Sequence, residues 1–70
     1  MKVSINGEVD ELRQGATVAD AVERVHPADL RRGLAAAVNG EVVPRDEWTD
    51  WTLDDDDEVE VLRAIGGGGS

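Results

Sequence analysis

The carboxyl end of this seventy-residue chain reads Gly66-Gly67-Gly68-Gly69-Ser70, and it holds the residues best suited to a reaction. A terminal glycine has no Cβ beside its carboxylate, so an enzyme can reach that carbon through a narrow channel and activate it without steric obstruction. Four glycines in a row contribute no side-chain packing and lose the most backbone entropy on ordering, so they are expected to stay mobile and extended beyond the folded body. A tail of that kind can be threaded into another protein, and the chemistry would be acyl transfer at the chain's own end. The same five residues also make a common flexible spacer of cloned fusions, and both readings stand at this point.

Other chemistry is sparse. No cysteine is present, which removes disulfides, thiolate metal sites and a thiol nucleophile together. His26 is the lone histidine, and near a helix end it most simply offers a favourable charge to the helix dipole. The run Asp54-Asp55-Asp56-Asp57-Glu58 reads as a solvated turn, because it lacks the regular liganding spacing and the closing bidentate glutamate of an EF-hand loop. No catalytic residue and no metal site is assigned. The glycines form no phosphate-binding loop either, since the Lys-Ser or Lys-Thr that such a loop needs is missing. Trp48 and Trp51 are the only aromatic residues, so at least one is expected to fill the core, with a docking surface as the other use of Trp48. Arg45 is open between a salt bridge to the acidic run and contact with a partner.

Composition narrows the field further. Seventy residues make one domain near the size where a lone core becomes marginal, which leaves little room for a substrate cavity. Sixteen acidic residues against seven basic ones give a formal charge of -9, so nucleic acid would be repelled and a basic protein partner favoured. No basic segment precedes an apolar stretch after Met1, and no apolar run approaches membrane-spanning length. The expectation is a soluble, cytoplasmic protein that is monomeric when free and engages no membrane.

The elements that must position the tail follow from period and punctuation. Val3 and Ile5 alternate with polar neighbours, Asn6-Gly7 is a two-residue turn signal, and Glu8 to Arg13 carries Val9 and Leu12, which together predict an opening β-hairpin. Thr17 with Asp20 three residues on resembles a capping box and starts a helix. Val18, Ala21, Val22 and Val25 recur at helical spacing and predict one apolar face laid on a sheet. Pro27 stops that helix at His26, with a short turn through Ala28-Asp29-Leu30 beyond it. Leu34, Ala36 and Val38 predict a strand covered on one side, with the apolar Ala35 and Ala37 on the other. Asn39-Gly40 is a second hairpin signal into Glu41-Val42-Val43, which Pro44 ends. Connecting structure runs to Trp51, and Val59, Val61 and Ile65 mark a last strand paired with the first.

The predicted class is α+β, a ubiquitin-like β-grasp. It has a mixed four- to five-stranded sheet, one main helix packed across it and a flexible carboxyl-terminal glycine tail. Residues 1–65 would form the domain and residues 66–70 the tail.

A family resemblance runs through nearly the whole chain. The segment Ala37-Val38-Asn39-Gly40-Glu41-Val42-Val43-Pro44-Arg45-Asp46-Glu47-Trp48, then Leu53, then Asp57-Glu58-Val59-Glu60-Val61 and Arg63-Ala64-Ile65-Gly66-Gly67 resembles the ThiS sulfur carriers of thiamine biosynthesis. Asn6-Gly7-Glu8 and Gly15-Ala16-Thr17-Val18 fit as well, and Val43-Pro44-Arg45 with Trp48 ahead of a glycine-rich end is the most specific part. The resemblance implies a protein cosubstrate and not an enzyme. A ThiF-like adenylyltransferase of the ubiquitin-activating type would use ATP and Mg to turn a terminal glycine carboxylate, at Gly67, Gly68 or Gly69, into an acyl adenylate. Sulfur from a cysteine desulfurase or rhodanese-type donor would displace AMP, and the resulting thiocarboxylate would deliver sulfur to a ThiG-like thiazole synthase. The chain itself would bind no cofactor. Arg45, Trp48, Arg63, Ile65 and Gly66 are the candidates for partner docking.

Two departures from the family pattern stand out. The family usually stops at Gly-Gly, whereas Ser70 here puts a hydroxymethyl group beside the carboxylate to be activated. Asp56 occupies the place of a glycine in the turn before the last strand, and aspartate tolerates left-handed geometry better than most residues. Carriage of sulfur to molybdopterin or a specialised metabolite, conjugation to lysines as a ubiquitin-like modifier, and an RNA-binding or regulatory module like the TGS domain of threonyl-tRNA synthetase are the other readings of the same features. The net charge and the glycine end oppose the last of these.

Overall fold

The computed structural model describes residues 1–26 and 33–63. Five strands and one helix follow in the order β1 (Lys2–Ile5), β2 (Glu8–Glu11), α1 (Val18–Val25), β3 (Leu34–Val38), β4 (Glu41–Val43) and β5 (Glu58–Arg63), with a 3-10 turn at Arg45–Glu47. The sheet order is β2-β1-β5-β3-β4. β1 and β5 run parallel, and the other neighbours run antiparallel. The expected mixed sheet with a helix across it is present, and the last strand does lie beside the first.

Local chemistry explains each boundary. Asn6 and Gly7 take φ of +53° and +86°, and Asn39 and Gly40 take +51° and +85°, the left-handed pair that a type I′ hairpin turn requires. A Cβ at Gly7 or Gly40 would meet nothing within 4 Å, so glycine is needed there for its backbone freedom and not for space. At the start of α1 the Asp20 Oδ2 accepts from the Thr17 N–H at 2.9 Å, and the Thr17 hydroxyl accepts from the Asp20 N–H at 3.4 Å. The capping box therefore works with aspartate at its third position. His26 closes the helix: its N–H still reaches the Val22 carbonyl at 2.8 Å while its own backbone is extended, as the following proline demands. The turn expected at Ala28-Asp29-Leu30 lies outside the described residues.

The core forms between α1 and one face of the sheet. Val3, Ile5, Ala36, Val38, Val59 and Val61 point toward Val18, Ala21 and Val22, and Trp48 and Leu53 complete the cluster from the connecting segment. Two expectations need correction. Val25 shares an angular stripe with Val18, but it sits in the last turn of an eight-residue helix and is 37% exposed, while Ala19 is buried in its stead. The second strand ends at Glu11, and its two apolar neighbours separate: Leu12 is buried and Val9 is 73% exposed. Residues three apart on an extended chain face opposite sides, so the two could not share a core.

Candidate functional site

The tail predicted to carry the chemistry is attached to the central strand. β5 is flanked by β1 and β3, and its last described residue, Arg63, lies opposite Leu34. Side chains from both hairpin turns reinforce these ladders. Asn6 Oδ1 accepts from the Val61 N–H at 2.8 Å, where β1 has already turned away, and Asn39 Oδ1 accepts from the Glu58 N–H at 2.9 Å. Each asparagine thus supplies the left-handed turn and also a bond to β5. Their fixed place in the turns makes the side-chain carbonyl a ready substitute for a missing strand neighbour.

The acidic run anchors the other end of β5. Asp54 and Asp57 close a turn on each other, with Asp54 N–H donating to Asp57 Oδ2 at 2.7 Å and Asp57 N–H donating to the Asp54 carbonyl at 3.1 Å. Asp55 Oδ1 accepts from the Lys2 N–H, the Asp56 N–H donates to the Lys2 carbonyl, and Asp57 Oδ1 accepts from Asn39 Nδ2. Asp56 takes φ of +71°, so the residue standing in the glycine's place does adopt the left-handed geometry. The Asp55 and Asp57 carboxylates serve as turn acceptors. Among the described residues no group of three or more His, Asp or Glu side chains is arranged to hold a metal ion.

The docking candidates separate in space. Trp48 is 3% exposed and its Nε1 donates to the Val43 carbonyl at 2.9 Å, so it is a core residue with its polar edge satisfied and not a docking surface. Trp51 packs partly buried against the same core. The Arg45 guanidinium carbon lies 5.3 Å from the Trp48 ring centroid, within cation–π range, so the two residues form one unit beside β4. Arg63 stands exposed at the end of β5, two strands or roughly 10 Å away by ordinary strand spacing. Ile65, Gly66, Gly67, Gly68 and Gly69 lie outside the described residues.

Residues not singled out in the sequence complete the surface beside Arg63. The sheet face opposite α1 presents Val42 at 69% exposure and Leu62 at 62%, with the half-buried Ala35 and Ala37 between them. Register makes them neighbours, because Leu62 pairs with Ala35 and Val42 pairs with Ala37. This apolar group lies immediately below the tail's root. Solvent-facing positions of a half-covered sheet are ordinarily polar, so such a group points to protein contact. A signal was present: Ala35 and Ala37 are apolar on the wrong face for a one-sided strand, and Leu62 breaks the alternation of Val59 and Val61. The surface can hold a partner protein while the root presents the tail to it.

Comparison with known proteins gives the family and the fold. A family model described as the ThiS family matches residues 3–68. The sulfur carrier protein ThiS of Escherichia coli (strain K12) is 30% identical over 69 residues, spanning 97% of this chain and all of that protein. The crystal structure of a thiamine biosynthesis protein (ThiS) from Geobacter metallireducens superposes with a TM-score of 0.77 at 27% identity, over 97% of this chain and 100% of that one. A solution NMR structure of a thiamine biosynthesis protein from the same organism gives 0.72 at 26% identity, over 100% of this chain and 91% of that one.

Proposed function

The chain belongs to the ThiS family, and from that premise we propose that it carries sulfur on its carboxyl-terminal glycine for thiazole assembly in thiamine biosynthesis. A family member of this kind is a sulfur carrier and not itself an enzyme. The observation that supports the reading most is the family match running from Val3 through Gly68, which takes in both the folded body and the glycines.

In this proposal the tail is the reagent. The glycine carboxylate attacks the α-phosphorus of ATP on a ThiF-like adenylyltransferase, pyrophosphate leaves, and a poor leaving group is replaced by a good one. The terminal sulfur of a persulfide, on a cysteine desulfurase or a rhodanese-type donor, attacks the acyl carbon and displaces AMP to leave an acyl disulfide. A second thiol then reduces its S–S bond, freeing the donor's cysteine and leaving the sulfur on the glycine. The glycine thiocarboxylate that results passes sulfur to a ThiG-like thiazole synthase. ATP and Mg belong to the activating partner. On this chain, the apolar group around Leu62 and Val42 seats the partner, and Arg63 at the end of β5 directs the tail into it. Gly68 is the favoured reacting residue, because the family match ends there and Ser70 beyond it would block the unhindered approach that activation needs. The proposal places these steps in the cytoplasm.

Intact-mass measurement tests it. Chains ending at Gly67, Gly68 and Gly69 are incubated with the adenylyltransferase, ATP, Mg, a persulfide donor and a thiol reductant. The chain ending at Gly68 should gain the oxygen-to-sulfur increment, and Gly68→Ala in that chain should abolish the gain. If no glycine-ended form is loaded, the proposal fails. Lysine-linked adducts on other proteins would favour a modifier instead.

A further inference from the structure

The outer edge of the sheet at β2 carries chemistry that the tail does not use. The Ser4 N–H donates to the Asp57 carbonyl, away from β2, while the Leu12 N–H reaches the Met1 carbonyl across the β1–β2 pair at 2.8 Å. Bonded and non-bonded positions alternate in an antiparallel ladder, so Val9 and Glu11 turn their N–H and C=O groups outward. At Glu11 both groups are taken. Its N–H donates to Asp10 Oδ1 at 2.8 Å, and its carbonyl accepts from Arg24 Nη2 at 2.7 Å. Arg24 in turn grips Asp10 through Nε at 2.9 Å and Nη2 at 3.3 Å. At Val9 no described residue takes either group. Beside this edge a groove of about 410 Å³ runs between the end of β2 and α1, with Leu12 and Ala16 at its base. The strand itself carries Glu8, Asp10 and Glu11 and no basic residue.

We propose that the β2 edge and its groove are a second docking surface, which takes an extended basic segment of a partner protein by strand addition. The outward groups of Val9 supply main-chain bonds to the added strand, and the groove takes an apolar side chain from it. Glu8, and Asp10 once Arg24 has moved off it, select a cationic sequence, while Glu11 faces the chain's own amino-terminal ammonium at 3.5 Å. Arg24 shows how a guanidinium is received, gripping Asp10 and the Glu11 carbonyl together, and an arginine of the incoming segment takes its place. Arg24 is therefore a latch on the edge. A second copy of this chain is the wrong occupant, since antiparallel pairing of two β2 strands would set carboxylates against carboxylates. The surface is separate from the tail and does not depend on its chemistry.

The test is a titration of the full chain, labelled with nitrogen-15, with an acetylated Arg-Val-Arg-Val-Arg amide. Shifts should centre on Glu8–Glu11 and α1, and amide exchange at Val9 should slow. Arg24→Ala should tighten binding several-fold, and Glu8→Gln with Asp10→Asn should weaken it roughly tenfold. An acetylated Arg-Pro-Arg-Pro-Arg amide has the same charge but cannot pair as a strand, and it should bind weakly and leave Val9 exchange unchanged. Equal binding of the proline peptide overturns the proposal, as do shifts centred on Asp54–Asp57 or an unchanged affinity of Arg24→Ala. A mass that doubles with concentration in the absence of peptide, with Val9 protected, would make a second copy the occupant and also overturn it. Val9 exchange in the unaltered chain keeps the test readable if a variant fails to fold.

Discussion

The two faces of the sheet are built from the same strands and do opposite work. On the face toward α1, Val3, Ile5, Ala36, Val38, Val59 and Val61 are buried in the core, and their energy goes into holding β5 in place. On the other face Val42 and Leu62 stay exposed, contribute little to folding, and remain free to meet a partner. Alternation along a strand is what allows this division, since neighbouring residues on β5 face the core and the open side in turn. Substitutions on the two faces should therefore fail in different assays.

The largest effect is expected from the buried side. Trp48→Ala should cost about 3–5 kcal/mol, through lost burial and the lost Nε1 bond to the Val43 carbonyl. That is a large share of the roughly 4–10 kcal/mol available to a domain of this size, so urea melts should show a chain partly unfolded in buffer. Leu62→Arg, on the open face, should leave the melt within about 0.5 kcal/mol of the parent. The same change should slow sulfur loading by the activating enzyme about tenfold, or about 1.4 kcal/mol. Should Leu62→Arg lower stability and leave loading intact, the division between faces is wrong.

Smaller changes sharpen the picture of how the root is held. Asn39→Gly keeps the left-handed turn but removes the side-chain bonds to the Glu58 N–H and to Asp57, so it should cost about 1 kcal/mol in denaturant titrations. A neutral result would mean that the turn geometry alone positions β5. Asp56→Gly should act the other way and stabilise by about 0.5 kcal/mol, because φ of +71° strains any residue with a Cβ. Destabilisation there would show that the Asp56 side chain contributes more than its left-handed backbone costs.

Much of this was legible in the residues because it rests on local chemistry. Both Asn-Gly turns, the Thr17–Asp20 box, the stop before Pro27 and the end of β4 at Pro44 depend on residues a few positions apart. The left-handed Asp56 follows from the same kind of argument. What could not be read depends on long-range registration. The Asn6 bond to Val61 spans 55 positions, and the Arg24 grip on Asp10 joins a helix to a strand that share no pattern in the sequence. The exposed pair Val42 and Leu62 becomes a single surface only once β3 is placed between β4 and β5. Val25 misled because periodicity reports the angle around a helix and not the distance to its end.

One comparison tests most directly whether the body is a holder and the tail the reagent. A chain truncated after Ile65 is set beside one ending at Gly68, and each is followed by thermal melt and by intact mass after incubation with the adenylyltransferase, ATP, Mg, a persulfide donor and a thiol reductant. The account predicts matching melts and an oxygen-to-sulfur gain in the chain ending at Gly68 alone. A truncated chain that still acquires sulfur, or that loses its fold with the glycines, would contradict it.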